Sequence, residues 1–227
     1  MKKISVLFLL PLLFILFMPK ANGQVKIGVQ TGINVTDLNV DLSQEGFKTA
    51  TRTRFIAGGI LTFDFIPLLT LQFEPAYIQK GATVNFQFVE NNITADIEGT
   101  ISANYVELPL LLKLTIPSVI IKPYLLAGGS VAFKVGDAKL NVEKATVNGV
   151  DFIDFVPAEE RDQTLQVKNN DYIVSFGAGV ELPISLISLL VEARYDIGLT
   201  NLNNDPTDDT EYKTRGLQVK AGILVGL

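Results

Sequence analysis

The stretch SLLVEARYDIGL, residues 188–199, decides the fold class of this chain. Apolar Leu189 and Val191 alternate in it with charged Glu192, Arg194 and Asp196. A period of two places these side chains on opposite faces of an extended backbone, which predicts a β-strand with one apolar and one charged face. The fold and the function both depend on which of these faces meets the core of the protein.

Seven other segments of the chain alternate in the same way. With the first stretch they predict eight strands, over residues 25–36, 53–65, 70–81, 100–116, 121–135, 171–182, 188–199 and 214–227. No helical periodicity of comparable length competes with this pattern. The chain is therefore predicted to be all-β.

The connections between these strands are of two kinds. Those after the second, fourth and sixth strands are short and contain Pro67, Pro117 and Pro183. The other four are long and polar, and cover residues 37–51, 82–98, 136–170 and 200–213. Short turns at one end and long loops at the other are typical of an up-and-down barrel with an even number of strands.

Two barrels fit this alternation: a soluble, lipocalin-like barrel with its apolar face inside, and a membrane barrel with its apolar face in lipid. The charged face is rich in glycine and carries both signs of charge, as a narrow lumen of paired side chains requires. The sequence therefore favours an eight-stranded antiparallel up-and-down transmembrane β-barrel with short periplasmic turns and long extracellular loops. The predicted lumen charge network comprises Arg54, Glu74, Glu107, Lys113, Lys122, Glu181, Glu192, Arg194, Asp196 and Lys220.

The amino terminus has the layout of an export signal. Two lysines precede an apolar run over residues 4–18 and a small-residue motif at 21–23. This layout predicts a secretory signal peptide over residues 1–23, which leaves 24–227 as the outer-membrane β-barrel domain. Removing three lysines and no acid lowers the net charge from −5 to −8, so nucleic acid is not expected as a partner.

The composition argues against most catalytic chemistry. The chain has no cysteine and no histidine, which removes thiolate metal sites and the commonest general base. Glu107, Glu192 and Asp196 could form an acid–base pair of carboxylates, but a salt-bridge network with the lumen cations is the favoured interpretation. No catalytic residue and no cofactor are expected.

The long connections hold most of the acidic residues. The last of them contains a weak candidate for a cation site, formed by Asp205, Asp208, Asp209 and Glu211, although an ordinary turn-rich loop has the same composition. The acidity could attract a basic partner or divalent cations. Solubility of exposed loops explains it without a partner, and is the favoured reading.

The third long connection also carries an apolar segment that includes Phe152, Ile153, Phe155 and Val156. Either the strands extend beyond the membrane and this segment packs on them, or it is a docking patch. Packing is expected, because long loops of small barrels often have structure of their own.

Five blocks of the sequence also carry a family resemblance. They are LQFEPAYIQKGA (71–82), NYVELPLLLKL (104–114), KPYLLAGGSVAF (122–133), FGAGVEL (176–182) and VEARYDIGLTNL (191–202). In this order they resemble the recurring blocks of the PorT-like outer-membrane β-barrel family, over nearly the whole chain after the signal. The resemblance implies an eight-stranded barrel in a Gram-negative outer membrane, and we do not transfer a secretion role from it.

Three functions are compatible with the sequence. The favoured one is a non-enzymatic outer-membrane barrel with a structural or interaction role through its acidic extracellular loops and with its lumen filled by polar and charged side chains. The alternatives are a narrow channel for small solutes and a soluble periplasmic barrel that binds a hydrophobic ligand. The expected partners are outer-membrane lipid and an envelope or extracellular protein at the loops.

Overall fold

The computed structural model describes residues 25–40, 47–90, 93–118, 120–203 and 212–227. The predicted signal peptide and the candidate cation site at 205–211 lie outside the described residues. No helix in the described ranges is long and apolar enough to span a membrane.

Eleven β-strands and two short helical turns form the described chain. The strands are β1 (Val25–Val40), β2 (Phe47–Ile66), β3 (Leu69–Phe73), β4 (Ala76–Glu90), β5 (Ile93–Thr115), β6 (Lys122–Val147), β7 (Val150–Asp151), β8 (Asp162–Leu165), β9 (Asn170–Ile184), β10 (Ile187–Gly198) and β11 (Tyr212–Gly226). A 3₁₀ turn at Ile153–Phe155 and one turn of α-helix, α1 (Ala158–Arg161), lie between β7 and β8.

The strand pairing closes into a ring of eight. Each neighbouring pair is antiparallel, in the order β1, β2, β4, β5, β6, β9, β10 and β11, and β11 pairs back with β1. The short β3 continues the line of β4 and pairs with β2 and β5. The prediction of an eight-stranded antiparallel barrel is confirmed, and the opening stretch forms its seventh barrel strand as β10.

A proline separates β3 from β4. Pro75 has no N–H to contribute to a ladder, so the strand is interrupted there. The backbone on either side stays attached to both neighbours, because the Glu74 N–H donates to the Pro109 carbonyl at 3.1 Å and the Gly59 N–H donates to the Pro75 carbonyl at 2.9 Å. The break therefore leaves the barrel wall closed while it changes the local path of the chain at Glu74.

A bulge in β2 is the second irregularity in the barrel wall. The register between β2 and β4 shifts between Thr51 and Ile56. Side chains of β1 reach the β4 backbone at this point: Asn34 Nδ2 donates to the Gln79 carbonyl at 3.1 Å. Thr36 Oγ1 donates to the Gly81 carbonyl at 2.9 Å and accepts from its N–H at 3.1 Å.

The burial pattern is inverted relative to that of a soluble protein. On β10 the charged face, with Glu192, Arg194 and Asp196, is buried, whereas Leu189 and Val191 point outward. β9 shows the same alternation along its length. The apolar face of the barrel is thus its outer surface, and the soluble barrel with an apolar interior is excluded.

The long connections differ from the prediction. Much of what was expected as loop over residues 37–51, 82–98 and 136–170 continues the barrel strands, because β1, β2, β4, β5 and β6 all run past the predicted ends. Apolar and polar residues still alternate there, but the apolar residues now lie on the inward face and the polar ones on the outward face. This reversal makes the strands look interrupted in the sequence.

An apolar-to-cationic change on the outer surface tests the orientation of the wall. Val191 is 53 % exposed on β10 and Val89 is 65 % exposed near the outer tip of β4. We expect Val191→Lys to lower the free energy of unfolding from lipid vesicles in urea by about 2 kcal/mol, because the ammonium group enters lipid. Val89→Lys should change it by less than about 0.5 kcal/mol, since this side chain meets water. Equal losses in the two variants would contradict the assignment.

Candidate functional site

The carboxylate of Glu74 lies at the centre of the lumen, at the break between β3 and β4. Its Oε2 lies 3.0 Å from Arg194 Nη1 and also accepts from Lys220 Nζ. Gln30 Nε2 donates to the same oxygen at 3.0 Å, and Gln72 Nε2 donates to Oε1. A fully buried carboxylate is tolerated only with such compensation, and this one is held by four side chains from β1, β3, β10 and β11.

Lys220 also binds a second buried carboxylate. Its Nζ lies 3.0 Å from Glu192 Oε1, and the two residues are direct cross-strand partners of β10 and β11. Tyr124 donates its hydroxyl to Glu192 Oε2 at 3.2 Å. Gly179 leaves the space for the tyrosine ring, since a Cβ there would lie 2.4 Å from Tyr124 Cζ. Gly179 thus allows the Tyr124 hydroxyl to reach the Glu192 carboxylate.

Arg194 extends the cluster toward the extracellular end. Its Nη2 donates to Gln218 Oε1 at 2.8 Å, and its Nε lies 3.3 Å from Asp196 Oδ1. Asp196 accepts from Ser175 Oγ at 2.6 Å and from Gln218 Nε2. A guanidinium that is 1 % exposed is thus surrounded by acceptors from neighbouring strands.

A second group of ion pairs lies near the short-turn end of the lumen. Glu181 accepts from Lys113 Nζ at 2.6 Å and from Lys26 Nζ at 2.8 Å. The ammonium of Lys113 also lies 4.1 Å from the centroid of the Tyr124 ring, within cation–π range. This group ties β1, β5 and β9 together across the barrel.

A third group lies toward the extracellular end. Lys80 Nζ lies 3.1 Å from Asp171 Oδ2 and 3.6 Å from Glu107 Oε2. Ser130 Oγ donates to Glu107 at 3.0 Å, and Thr214 Oγ1 donates to Asp171 at 2.9 Å. Lys80 was not among the predicted network residues, although its pairing here is central.

The structure brings together eight of the ten predicted network residues: Glu74, Glu107, Lys113, Glu181, Glu192, Arg194, Asp196 and Lys220, all of them buried. Arg54 and Lys122 are half-buried, and within the described chain neither makes an ion pair shorter than 4.0 Å. Arg54 lies in the bulge of β2, and Lys122 is the first residue of β6, so both stand at irregular or terminal positions of the wall.

The network residues that the prediction omitted carry a recognisable signal. Lys80 and Asp171 lie at even spacing from Glu74 and Glu181, so each shares the inward face of its strand. Lys26 shares the inward face of β1 in the same way, with Gln30. All three lie within the predicted strands 25–36, 70–81 and 171–182, so applying the alternation to every residue of these strands would have found them.

Apolar side chains fill the lumen between the charged groups. Three buried clusters are present: Ile56, Ala76, Ile78, Tyr105, Ala132 and Ile173; Ile60, Leu190 and Leu224; and Leu111, Tyr124 and Leu126. The prediction of a lumen filled by polar and charged residues was therefore incomplete. An eight-stranded barrel is just wide enough to be filled by its own side chains, and this one is filled by both kinds.

A sheet projects from the extracellular end of the barrel. β9 begins at Asn170, opposite Phe133, whereas β6 continues to Val147, roughly 45 Å further at about 3.3 Å per residue. The outer parts of β2, β4 and β5 continue beside it, and β7 and β8 pair with its free edge. We call this projection the external sheet.

The two faces of the external sheet reverse the polarity of the barrel below. Cross-strand partners share a face, and β4 alternates against β5 without interruption from the buried Ile78, so the partners can be followed upward. The inward face carries the rows Ala82–Ile101–Leu140, Val84–Gly99–Val142, Phe86–Ile97–Ala145 and Phe88–Ala95–Val147. The outward face carries Asn85–Glu98–Lys144 and Gln87–Asp96–Thr146.

The inward side chains of this sheet pack against one another. A Cβ at Gly99 would meet Leu140 Cδ1 at 3.2 Å and Val84 Cγ2 at 3.5 Å, so these three residues are in one layer. Above them Phe86, Phe88 and Ile97 are exposed. The outward face is polar because it meets water, which locates the external sheet beyond the lipid.

The apolar segment after β7 packs on the extended strands only in part, since two of its four apolar side chains are exposed. Its backbone is attached to the sheet, since the Phe152 N–H donates to the Ala145 carbonyl at 2.8 Å. Ile153 and Val156 are half-buried, but Phe155 is 81 % exposed, and its ring is tilted by 50° to that of Phe152 at 6.0 Å between centroids. The segment lies at the tip of the sheet, where no second layer is available to cover it among the described residues.

An ion pair crosses the base of the external sheet. Arg52 Nη1 lies 3.1 Å from Glu143 Oε1, and Thr100 Oγ1 donates to the same oxygen at 2.6 Å. The hydroxyl of Thr100, together with the guanidinium of Arg52, lowers the pKa of Glu143 from its ordinary value. The pair connects β2 to β6 over the two strands between them.

The comparisons with known proteins agree with a barrel that presents an apolar surface to lipid. Residues 19–204 match the model of the outer membrane protein beta-barrel domain family, and the chain belongs to that family. It is therefore an outer-membrane β-barrel protein, and the outer membrane is its location. Among curated proteins none matches this sequence.

Several solved structures are similar. The outer membrane protease OmpT from Escherichia coli is 11 % identical, with 90 % of this chain and 97 % of that one covered and a TM-score of 0.51. Neisserial surface protein A is 13 % identical, with 88 % and 96 % covered and a TM-score of 0.46. OprG from Pseudomonas aeruginosa is 12 % identical, with 90 % and 95 % covered and a TM-score of 0.44. At these identities the likeness concerns the fold alone.

Removing one cation tests the central cluster. Lys220→Met leaves Glu74 and Glu192 buried with less compensation, so we expect the free energy of unfolding to fall by about 3–5 kcal/mol. Adding Glu74→Gln should restore part of that loss, because the uncompensated charge disappears with it. Lys122→Met is the matched control, and we expect a loss below about 1 kcal/mol. The measurement is urea unfolding in lipid vesicles, followed by heat-dependent gel migration. Similar losses for Lys220→Met and Lys122→Met would contradict the central role of the cluster.

The acidity of Glu143 can be measured directly. Thr100→Val removes the hydroxyl that donates to its carboxylate, so the pKa of Glu143 should rise toward its ordinary value. Because the wild-type pKa is lowered, the carboxylate and its ion pair persist above that pKa and are lost as the pH falls through it. A carbon-detected NMR titration of the labelled carboxyl group measures this pKa. An unchanged pKa in Thr100→Val would show that Arg52 alone is responsible.

Proposed function

We propose that the protein is a non-enzymatic outer-membrane barrel with a closed lumen, which acts by binding another protein at its external sheet. Within its family we assign it to the PorT-like group, on the five sequence blocks described above. The observation that carries the proposal is the contrast between a lumen whose charged groups are paired and an external sheet whose apolar face is exposed.

The packing of the lumen supports its closure. Arg194, Tyr105, Tyr124, Lys113 and Lys220 are the largest fully buried side chains of the described residues, and they come from two pairs of neighbouring strands, β5 with β6 and β10 with β11. A water-filled path would require several of them to leave their partners. The departure of Arg194, Lys113 or Lys220 would leave a buried carboxylate with less compensation, which costs several kcal/mol.

The same pairing supports a role without catalysis. A carboxylate pair needs one protonated and one free member near a substrate, but Glu192 is bound to Lys220 and Tyr124, and Asp196 is bound to Arg194, Gln218 and Ser175. Both carboxylates are buried, at 1 % and 8 % exposed, which supports their assignment to the packed lumen. The absence of histidine from the sequence removes the usual alternative base.

A narrow solute channel is the competing proposal, and conductance separates the two. We expect the purified barrel in planar lipid bilayers to show no unitary conductance above that of the bare membrane in concentrated potassium chloride. The physical reason is the side-chain packing across the whole lumen. Stable unitary steps that scale with the salt concentration would contradict a closed lumen. Heat-dependent gel migration of the same preparation confirms that the barrel under test is folded.

A further inference from the structure

We propose that the inward face of the external sheet is the docking surface for a basic amphipathic helix of another protein. The surface comprises Phe86, Phe88, Ile97, Val147, Val150 and Phe152, and we call it the inner apolar face. The inference rests on the proposed function and adds the chemistry of the partner to it.

These side chains form one surface across four strands. Phe88, Ala95 and Val147 are successive cross-strand partners, and Val150 of β7 is the partner of Val147. Phe86, Ile97 and Ala145 form the row below, and the hydrogen bond from the Phe152 N–H to Ala145 places Phe152 at the end of that row. All six residues of the inner apolar face are exposed.

The size of the surface suits one helix. The two rows lie about 7 Å apart along the strands, and the four strands span about 15 Å across them. An α-helix with its side chains is about 10 Å in diameter, so one helix that lies across the strands covers the surface with about three turns. Contiguous exposed apolar side chains rimmed by polar residues are typical of protein interaction sites.

Acidic residues beside the surface specify the charge of the occupant. Asp154, Glu159 and Glu160 are exposed on the segment that borders Phe152 and Phe155, and the neighbouring Arg161 donates its Nε to the Val156 carbonyl. We call the three carboxylates the acidic rim. A helix with lysine or arginine flanking its apolar stripe would complement the rim as it covers the apolar side chains.

The rim also argues against two other occupants. Anionic lipid headgroups would be repelled by it, and zwitterionic headgroups have no net positive charge to complement it. A second copy of this chain would bring its own acidic rim to the same surface, which places like charges opposite one another. A heterologous basic segment avoids both conflicts.

The test uses the full barrel in phosphatidylcholine nanodiscs and three fluorescent peptides. The first is a leucine–lysine peptide of about three helical turns with its leucines on one face, the second has glutamate in place of lysine, and the third is a scrambled leucine–lysine peptide. We expect the first to bind, and the other two to bind at least about tenfold more weakly, because they lack charge complementarity or a continuous apolar face. Empty nanodiscs measure binding to lipid.

Variants of the protein test whether the peptide binds at the inner apolar face. Phe88→Ser combined with Phe152→Ser should weaken binding of the first peptide at least about tenfold, since two aromatic contacts are lost. Val89→Ser is the matched control, on the adjacent residue of β4 and the opposite face, and should change the affinity by less than about twofold.

A charge reversal tests the acidic rim. Glu159→Lys combined with Glu160→Lys should weaken binding of the basic peptide and strengthen binding of the acidic one. Asp137→Lys, at an exposed residue outside the rim, should change neither affinity.

Four results would overturn the docking surface: no binding of the first peptide, equal binding of the scrambled peptide, equal binding to empty nanodiscs, or unchanged affinity in the Phe88→Ser, Phe152→Ser variant. Heat-dependent migration of every variant confirms that it has folded. The conductance measurement tests the proposed function separately from the docking surface. A barrel that is closed but does not bind the peptide refutes only the docking surface, whereas a barrel that conducts refutes the proposed function.

Discussion

The pairing of one buried carboxylate, Glu74, with two buried cations is the interaction on which the lumen depends. Arg194 and Lys220 come from adjacent strands, and Glu74 comes from the far side of the barrel, at the break made by Pro75. Closing the barrel brings the three charges together, and their attraction in turn opposes any opening of the wall. A buried charge without its partner is costly, so the network favours one register of strands over its alternatives.

The surrounding medium explains why the polarity of the wall reverses along its length. Within the membrane the apolar side chains face lipid and the charged side chains face the lumen, as on β10. Beyond the membrane the outward face meets water, and polar residues such as Glu98 and Lys144 occupy it, while Phe86 and Ile97 turn inward. The same two-residue period therefore serves both regions, with its phase set by what lies outside.

Function follows from the difference between these two regions. The inward charges of the barrel are engaged with one another in a filled lumen, whereas several inward apolar residues of the external sheet, such as Phe88 and Ile97, are exposed. The first region anchors and stabilises the protein. The second exposes apolar side chains near the carboxylates of the acidic rim, and these two features are the basis on which we propose a protein partner.

The sequence by itself determined the strand period, the number of barrel strands, the direction of the short and long connections and eight of the ten predicted network residues, because alternation is a local property of an extended chain. It did not determine that the predicted loops are extensions of strands, which inward charges pair with one another, that Arg54 and Lys122 stand outside the network, or that Phe155 is exposed. Those outcomes depend on which strands pair, on where the wall bulges and on how far each strand outlasts its neighbour. Only the tertiary structure decides them, because an ion pair or a covering layer requires residues distant in sequence to meet.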